Sequence, residues 1–101
     1  MIHELAQFPI RSGAEADFEQ SMTKARDVIA AAPGFVSIEW WRGVERPNIY
    51  TLHIVWESVE AHMAGFRESP AFDDWKALTR PYFDGDVVME HFDTRSEIYR
   101  G

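Results

Sequence analysis

Residues 56–92 read WESVEAHMAGFRESPAFDDWKALTRPYFDGDVVMEHF. After the apolar Trp56 comes Ser58, whose oxygen can accept from an early helix N–H. Val59, Met63 and Phe66 follow at i, i+4 and i+7, one stripe of a helix, with His62 a turn from Phe66. Ser69-Pro70 restarts a helix, Ser as cap and Pro at the first helical position. Phe72, Trp75, Leu78 and Tyr82 continue at near-helical spacing, and Arg80 precedes Pro81, which disfavours helix there. Asp84-Gly85-Asp86 makes a turn, and residues 87–92, VVMEHF, form a strand.

Upstream, 49–56 (IYTLHIVW) and 35–42 (FVSIEWWR) read as two strands joined by Gly43 to Asn48, an antiparallel hairpin. Residues 2–10 read as a strand with Ile2, Glu4, Ala6 and Phe8 on one face and His3, Leu5, Gln7 and Pro9 on the other. Ser12 to Glu15 has the pattern of a capping box. It opens a helix to about Ala32, with Ala14, Phe18, Met22, Ala25, Ile29 and Ala32 as its apolar stripe, and Pro33-Gly34 ends it. The order is β-α-β-β-α-β, the ferredoxin-like split βαβ arrangement of an α+β protein, with an antiparallel sheet and helices on one face. A single domain over residues 1–101 is expected, with a polar C-terminal tail from 93 to 101.

A soluble monomer would make the sheet face away from the helices polar. Here both parities of the hairpin carry Trp, Tyr, Ile or Val, so both faces call for cover. A homodimer closed face to face with two-fold symmetry is expected, a ligand or the tail being the other possible covers.

The net charge of −7 argues against nucleic acid, whose binding relies on neutralising phosphates, and against an anionic membrane. No apolar run is long enough to span a bilayer, and the N-terminus lacks a charged n-region followed by an apolar h-region. A cytoplasmic protein is expected. With no cysteine there is no disulfide, thiolate nucleophile or iron–sulfur site, and no dinucleotide or phosphate-loop motif is present. The four histidines lack metal-ligand spacing. Neither a cofactor nor a metal is expected.

The chain resembles the antibiotic biosynthesis monooxygenase family of the dimeric α+β barrel superfamily. The carriers are Pro33-Gly34-Phe35, the strand ending at Trp56, E-A-H with His62, Phe66-Arg67, S-P-A-F, Trp75 and the closing V-M-E-H-F. The resemblance implies two ferredoxin-like sheets forming a barrel across a homodimer, with an apolar cleft between each sheet and the second helical segment. It also implies cofactor-independent oxygenation of anthrones or quinols, or haem degradation. The haem-degrading branch has an Asn where Ala6 stands beside Gln7, and its iron-ligating His falls at Trp75 or Lys76. Haem degradation is therefore not expected.

Cofactor-free oxygenation needs an aromatic substrate held away from water, a group to take a proton and a stabiliser for the resulting anion. His62 is the expected catalytic base or hydrogen-bond partner, because His alone titrates unperturbed near neutrality. Trp75 offers an aromatic wall and an indole N–H, and Arg67 can stabilise a phenolate or peroxide anion. Phe66, Tyr82, Phe83 and His91 are the expected substrate-binding residues. Each has a plainer reading too: His62 and the aromatics as packing, Arg67 as one half of a surface ion pair with Glu60, Glu68 or Asp73, and His91 as a dimer contact. His3, His53, Trp40, Trp41 and Trp56 are read as core or interface.

The sequence thus points to an enzyme, a monooxygenase acting with O2 on a small aromatic or quinol-type molecule. A non-catalytic dimeric binding or stress-associated protein, and an isomerase on the same barrel, are the competing readings.

Overall fold

The structure is a computed structural model describing all of residues 1–101. Its order is β1 (Ile2–Pro9), α1 (Glu15–Ala30), β2 (Phe35–Arg42), β3 (Ile49–Trp56), a π-helical turn (Ala61–Phe66), α2 (Pro70–Thr79), a 3-10 turn (Arg80–Tyr82) and β4 (Val88–Asp93). The four strands form one antiparallel sheet in the order β2-β3-β1-β4. This is the ferredoxin-like arrangement the element order predicts.

Period-two alternation decides which side faces the helices. On β3, Tyr50, Leu52, Ile54 and Trp56 are fully buried, while Ile49, Thr51, His53 and Val55 are half-buried on the open side. On β1, Glu4, Ala6 and Phe8 share the buried side, in register with Ile54, Leu52 and Tyr50. Phe18, Met22, Ala25 and Ile29 of α1 pack onto this surface. The Ser21 hydroxyl donates to the Leu78 carbonyl at 2.6 Å, tying α1 to α2. The open side carries Trp41, Val88 and Phe92, all substantially exposed, with His3 and His53 between them.

Several local expectations need correction. The Ser12 capping box does not form: α1 starts at Glu15 with Ala14 as its cap, and the Glu15 carboxylate accepts from the Gly13 N–H. A turn from Arg11 to Ala14 leaves Ser12 exposed outside the helix. The helix ends at Ala30 rather than Ala32. The last strand runs from 88 to 93, one residue later than predicted. Ser69 does stand at the N-cap of α2, but its hydroxyl donates backwards to the Phe66 carbonyl.

The largest departure is between Ala61 and Phe66. The predicted α-helical stripe of Val59, Met63 and Phe66 is replaced by a π turn, its geometry marked by the Arg67 N–H donating to the His62 carbonyl at 2.9 Å, five residues back. Val59 and Met63 turn to solvent, and His62 and Phe66 are buried instead. Ser58 accepts from the Ala61 N–H, as expected of it.

Gly34 fixes how closely this turn approaches the sheet. Its φ is +83°, and a Cβ built there would stand 2.5 Å from the Ala61 Cβ. Gly34→Ala should therefore destabilise the fold by roughly 1–3 kcal/mol, through strain at a left-handed position added to a steric clash. Thermal unfolding should show a lowered midpoint that Ala61→Gly only partly restores, since that change relieves the clash but not the φ. An unchanged midpoint in Gly34→Ala would contradict this packing.

Candidate functional site

Between the buried face of the sheet, the π turn and α2 lies a cavity of about 330 Å³, at the lower end of the usual range for small-molecule sites. The sheet contributes Ala6, Phe8, Ile54 and Met89 to it, and the helical side contributes Phe66, Phe72 and Trp75. Trp75 packs edge-on to both Phe8 and Phe66, and Phe83 packs edge-on to Phe8. The walls are thus aromatic and rigid. Arg67, Lys76, Thr79 and Arg80 also line the cavity.

Its polar floor is built from three distant parts of the chain. Glu4 of β1 is 5% exposed and His62 of the π turn 4% exposed. The Trp56 indole N–H donates to Glu4 Oε1 at 2.9 Å, and His62 Nε2 stands 3.4 Å from the same oxygen. The His62 ring stacks on Trp56, with centroids 5.0 Å apart. On its other side His62 Nδ1 lies 2.8 Å from His91 Nε2, and His91 pairs with Glu4 in the β1–β4 register. Glu4, His62 and His91 therefore form a chain leading from the buried floor to a half-buried strand position.

Electrostatics sort these groups differently from their ordinary values. Burial pushes the Glu4 carboxyl up to about 7, although the Trp56 hydrogen bond and the Arg67 charge oppose the rise. Burial, with His91 and Arg67 nearby, pushes His62 down to about 4. At neutral pH His62 is a neutral imidazole, and Glu4 is the group that changes protonation there. Both directions disfavour a Glu4–His62 ion pair. The imidazole can follow the carboxyl by changing tautomer: Nε2–H faces an ionised Glu4 while Nδ1 accepts from His91, and the order reverses when Glu4 is protonated.

Of the expected site residues, the cavity brings together His62, Trp75, Arg67, Phe66 and Phe83. Tyr82 is placed elsewhere, lining a separate small cleft with Asp17 and Lys24 between α1 and the end of α2. The 3-10 turn following α2 swings its ring onto Phe18, on the α1 side. His91 does not line the cavity but joins the site through His62. Arg67 makes no ion pair; its guanidinium lies 5.2 Å from the centre of the Phe72 ring. No group of three metal-binding side chains forms.

The residue that sequence reading missed is Glu4. The available signal was its parity: a carboxylate at a position shared with Ile2, Ala6 and Phe8 is a buried charge in need of partners.

The family model for antibiotic biosynthesis monooxygenase matches residues 1–78. The chain belongs to this family. YczJ of Bacillus subtilis (strain 168), an uncharacterized protein, is 32% identical over 92 residues, 91% of this chain and 97% of its own. A Bordetella bronchiseptica crystal structure bearing the same family name superposes with a TM-score of 0.91 at 34% identity, over 94% of this chain and 97% of that one. SnoaB of Streptomyces nogalater, described as a cofactor-independent oxygenase, superposes with a TM-score of 0.83 over 98% of this chain and 97% of its own. At 22% identity that likeness is one of fold.

The shifted groups make opposite contributions to stability. The folded pKa of Glu4 is raised above its ordinary 4.5, so its contribution is full below pH 4.5 and lost as pH rises to about 7. His62 is lowered from 6.5 to about 4, so its contribution is full above 6.5 and lost as pH falls to about 4. Glu4→Gln removes the first and leaves the second. Between pH 4.5 and 7.5 the variant should gain on the wild type by up to about 3 kcal/mol, measured by urea denaturation. A constant difference across that range would mean that Glu4 is not the shifted group.

Proposed function

We propose that this protein is a cofactor-independent monooxygenase that oxidises a quinol- or anthrone-type aromatic molecule with O2. The observation that carries the reading is the Glu4–His62 pair, buried at the floor of an aromatic cavity, with the carboxyl raised to about 7. Family membership and the shared fold of SnoaB, an oxygenase described as needing no cofactor, support it.

In this reading His62 is not the base. Its lowered pKa makes it a weak one, and its Nε2 stands beside the Glu4 carboxylate at 3.4 Å as a polar neighbour. For an anthrone-type substrate the Glu4 carboxylate takes a proton from the activated CH2, leaving a carbanion delocalised over the ring system and its carbonyl oxygen. The carbanion passes one electron to O2, and the radical pair collapses to a C–O bond. Glu4 returns its proton to the peroxide. Loss of the second C–H proton and cleavage of the O–O bond release water, so that CH2 and O2 become C=O and H2O. Phe66, Trp75 and Phe83 hold the ring and exclude water, and His91 orients His62.

The same reading includes a homodimer. Trp41 (46% exposed), Val88 (57%) and Phe92 (44%) lie on the sheet side away from the helices, a surface that a second copy would cover. Sedimentation equilibrium should return twice 11.7 kDa; the monomer mass would remove this part.

Oxygen uptake by the metal-free protein against a panel of anthrones and hydroquinones tests the chemistry. Uptake should need no added cofactor, rise with pH through about 7 as Glu4 ionises, and fall at least ~10²-fold in Glu4→Gln. Turnover without oxygen consumption would indicate an isomerase. Binding without turnover would indicate a binding protein.

A further inference from the structure

The charge of the cavity is the reverse of the charge of the protein. The chain has 17 acidic and 10 basic residues. Three of those basic residues, Arg67, Lys76 and Arg80, line the cavity, against one acid, Glu4. Glu4 is buried at the floor and its neutral form is favoured by that burial. The three cations are exposed or half-exposed and stand at the mouth.

Their arrangement is specific in two ways. Arg67 and Arg80 have no acidic partner, and Lys76 has only the highly exposed Asp73, at 3.3 Å. Such a pair in open water is weak and easily exchanged. In addition, Arg67 and Lys76 converge on one ring of the wall, with the guanidinium carbon 5.2 Å and the ammonium nitrogen 4.9 Å from the centre of Phe72. Cations in the last turn of α2 offset its negative end whichever way they point. That both Lys76 and Arg80 line this cavity is a separate matter of side-chain direction.

We propose that the cavity takes an aromatic carboxylate, its ring system lying against Phe66 and Trp75 and its carboxylate held at the mouth by Arg67 and Lys76, with Arg80 beside them. The planar fork of Arg67 matches a carboxylate in two parallel hydrogen bonds. The inference rests on the cavity being the ligand site, as in the oxygenase reading, but not on any reaction with O2.

Calorimetric titration with 2-naphthoate and its uncharged isostere 2-naphthamide isolates the anionic group. The wild type should bind the acid roughly tenfold or more tightly than the amide, the usual scale for hydrogen bonds to a charged group. That preference should shrink as salt is raised. In the Arg67→Gln/Lys76→Gln double variant the preference for the acid should fall to about threefold or less, since two of the three cations are gone. Arg26→Gln, a charge change on the exposed side of α1, should keep the preference, and circular dichroism confirms that each variant is folded. Equal affinities in the wild type, binding of neither probe, or an undiminished preference in the double variant would overturn the proposal. Because no oxygen is measured, a preference for the acid can stand even where oxygen uptake fails, and uptake can stand where the preference is absent.

Discussion

A carboxylate lies inside the hydrophobic layer of this protein, and its need for partners organises much of what surrounds it. Glu4 sits on a central strand, flanked on its buried face by Ala6 and across the register from Ile54. Leaving it without hydrogen bonds would cost several kcal/mol. Trp56 supplies an indole N–H from the next strand, and His62 comes down from the helical side to face the same oxygen. With these contacts no buried side-chain nitrogen or oxygen is left unpartnered.

The π turn is the local device that allows this. In an α-helix Val59, Met63 and Phe66 would form the inward stripe, and His62 would stand at its edge. Widening one turn to a five-residue hydrogen bond turns His62 and Phe66 inward together, onto the face of Trp56. Gly34 lets the turn close onto the sheet because it has no Cβ to meet Ala61. Site and fold therefore meet at a deviation from regular helix, where π turns are often found.

The fold was legible because its signals are periodic. The alternation on β3 and the three-and-four spacing on α1 each persist over several residues, and both hairpin strands fall on the residues predicted for them. The cavity walls were legible as well, since Phe66, Trp75 and Phe83 are aromatic residues on a segment that must cover the sheet. The floor was not. Glu4, His62 and His91 become neighbours only once β1 is paired with β4 and the turn has widened, and neither event leaves a repeating pattern in the chain. Tyr82 was misplaced because the break at Pro81 was visible but the direction of the 3-10 turn after it was not. The missing Ser12 cap is similar: the motif was present, but the Arg11 to Ala14 turn took the backbone elsewhere.

The cavity is electrically polar along its depth. Its floor is neutral when Glu4 is protonated and negative when it is not, and with His62 uncharged it does not become positive near neutrality. Its mouth carries the cations. If the cavity takes an anionic aromatic guest as proposed, the charge of that guest would lie with the cations and its uncharged end would face Glu4. On that reading, the length of the guest would set which of its atoms reaches the floor.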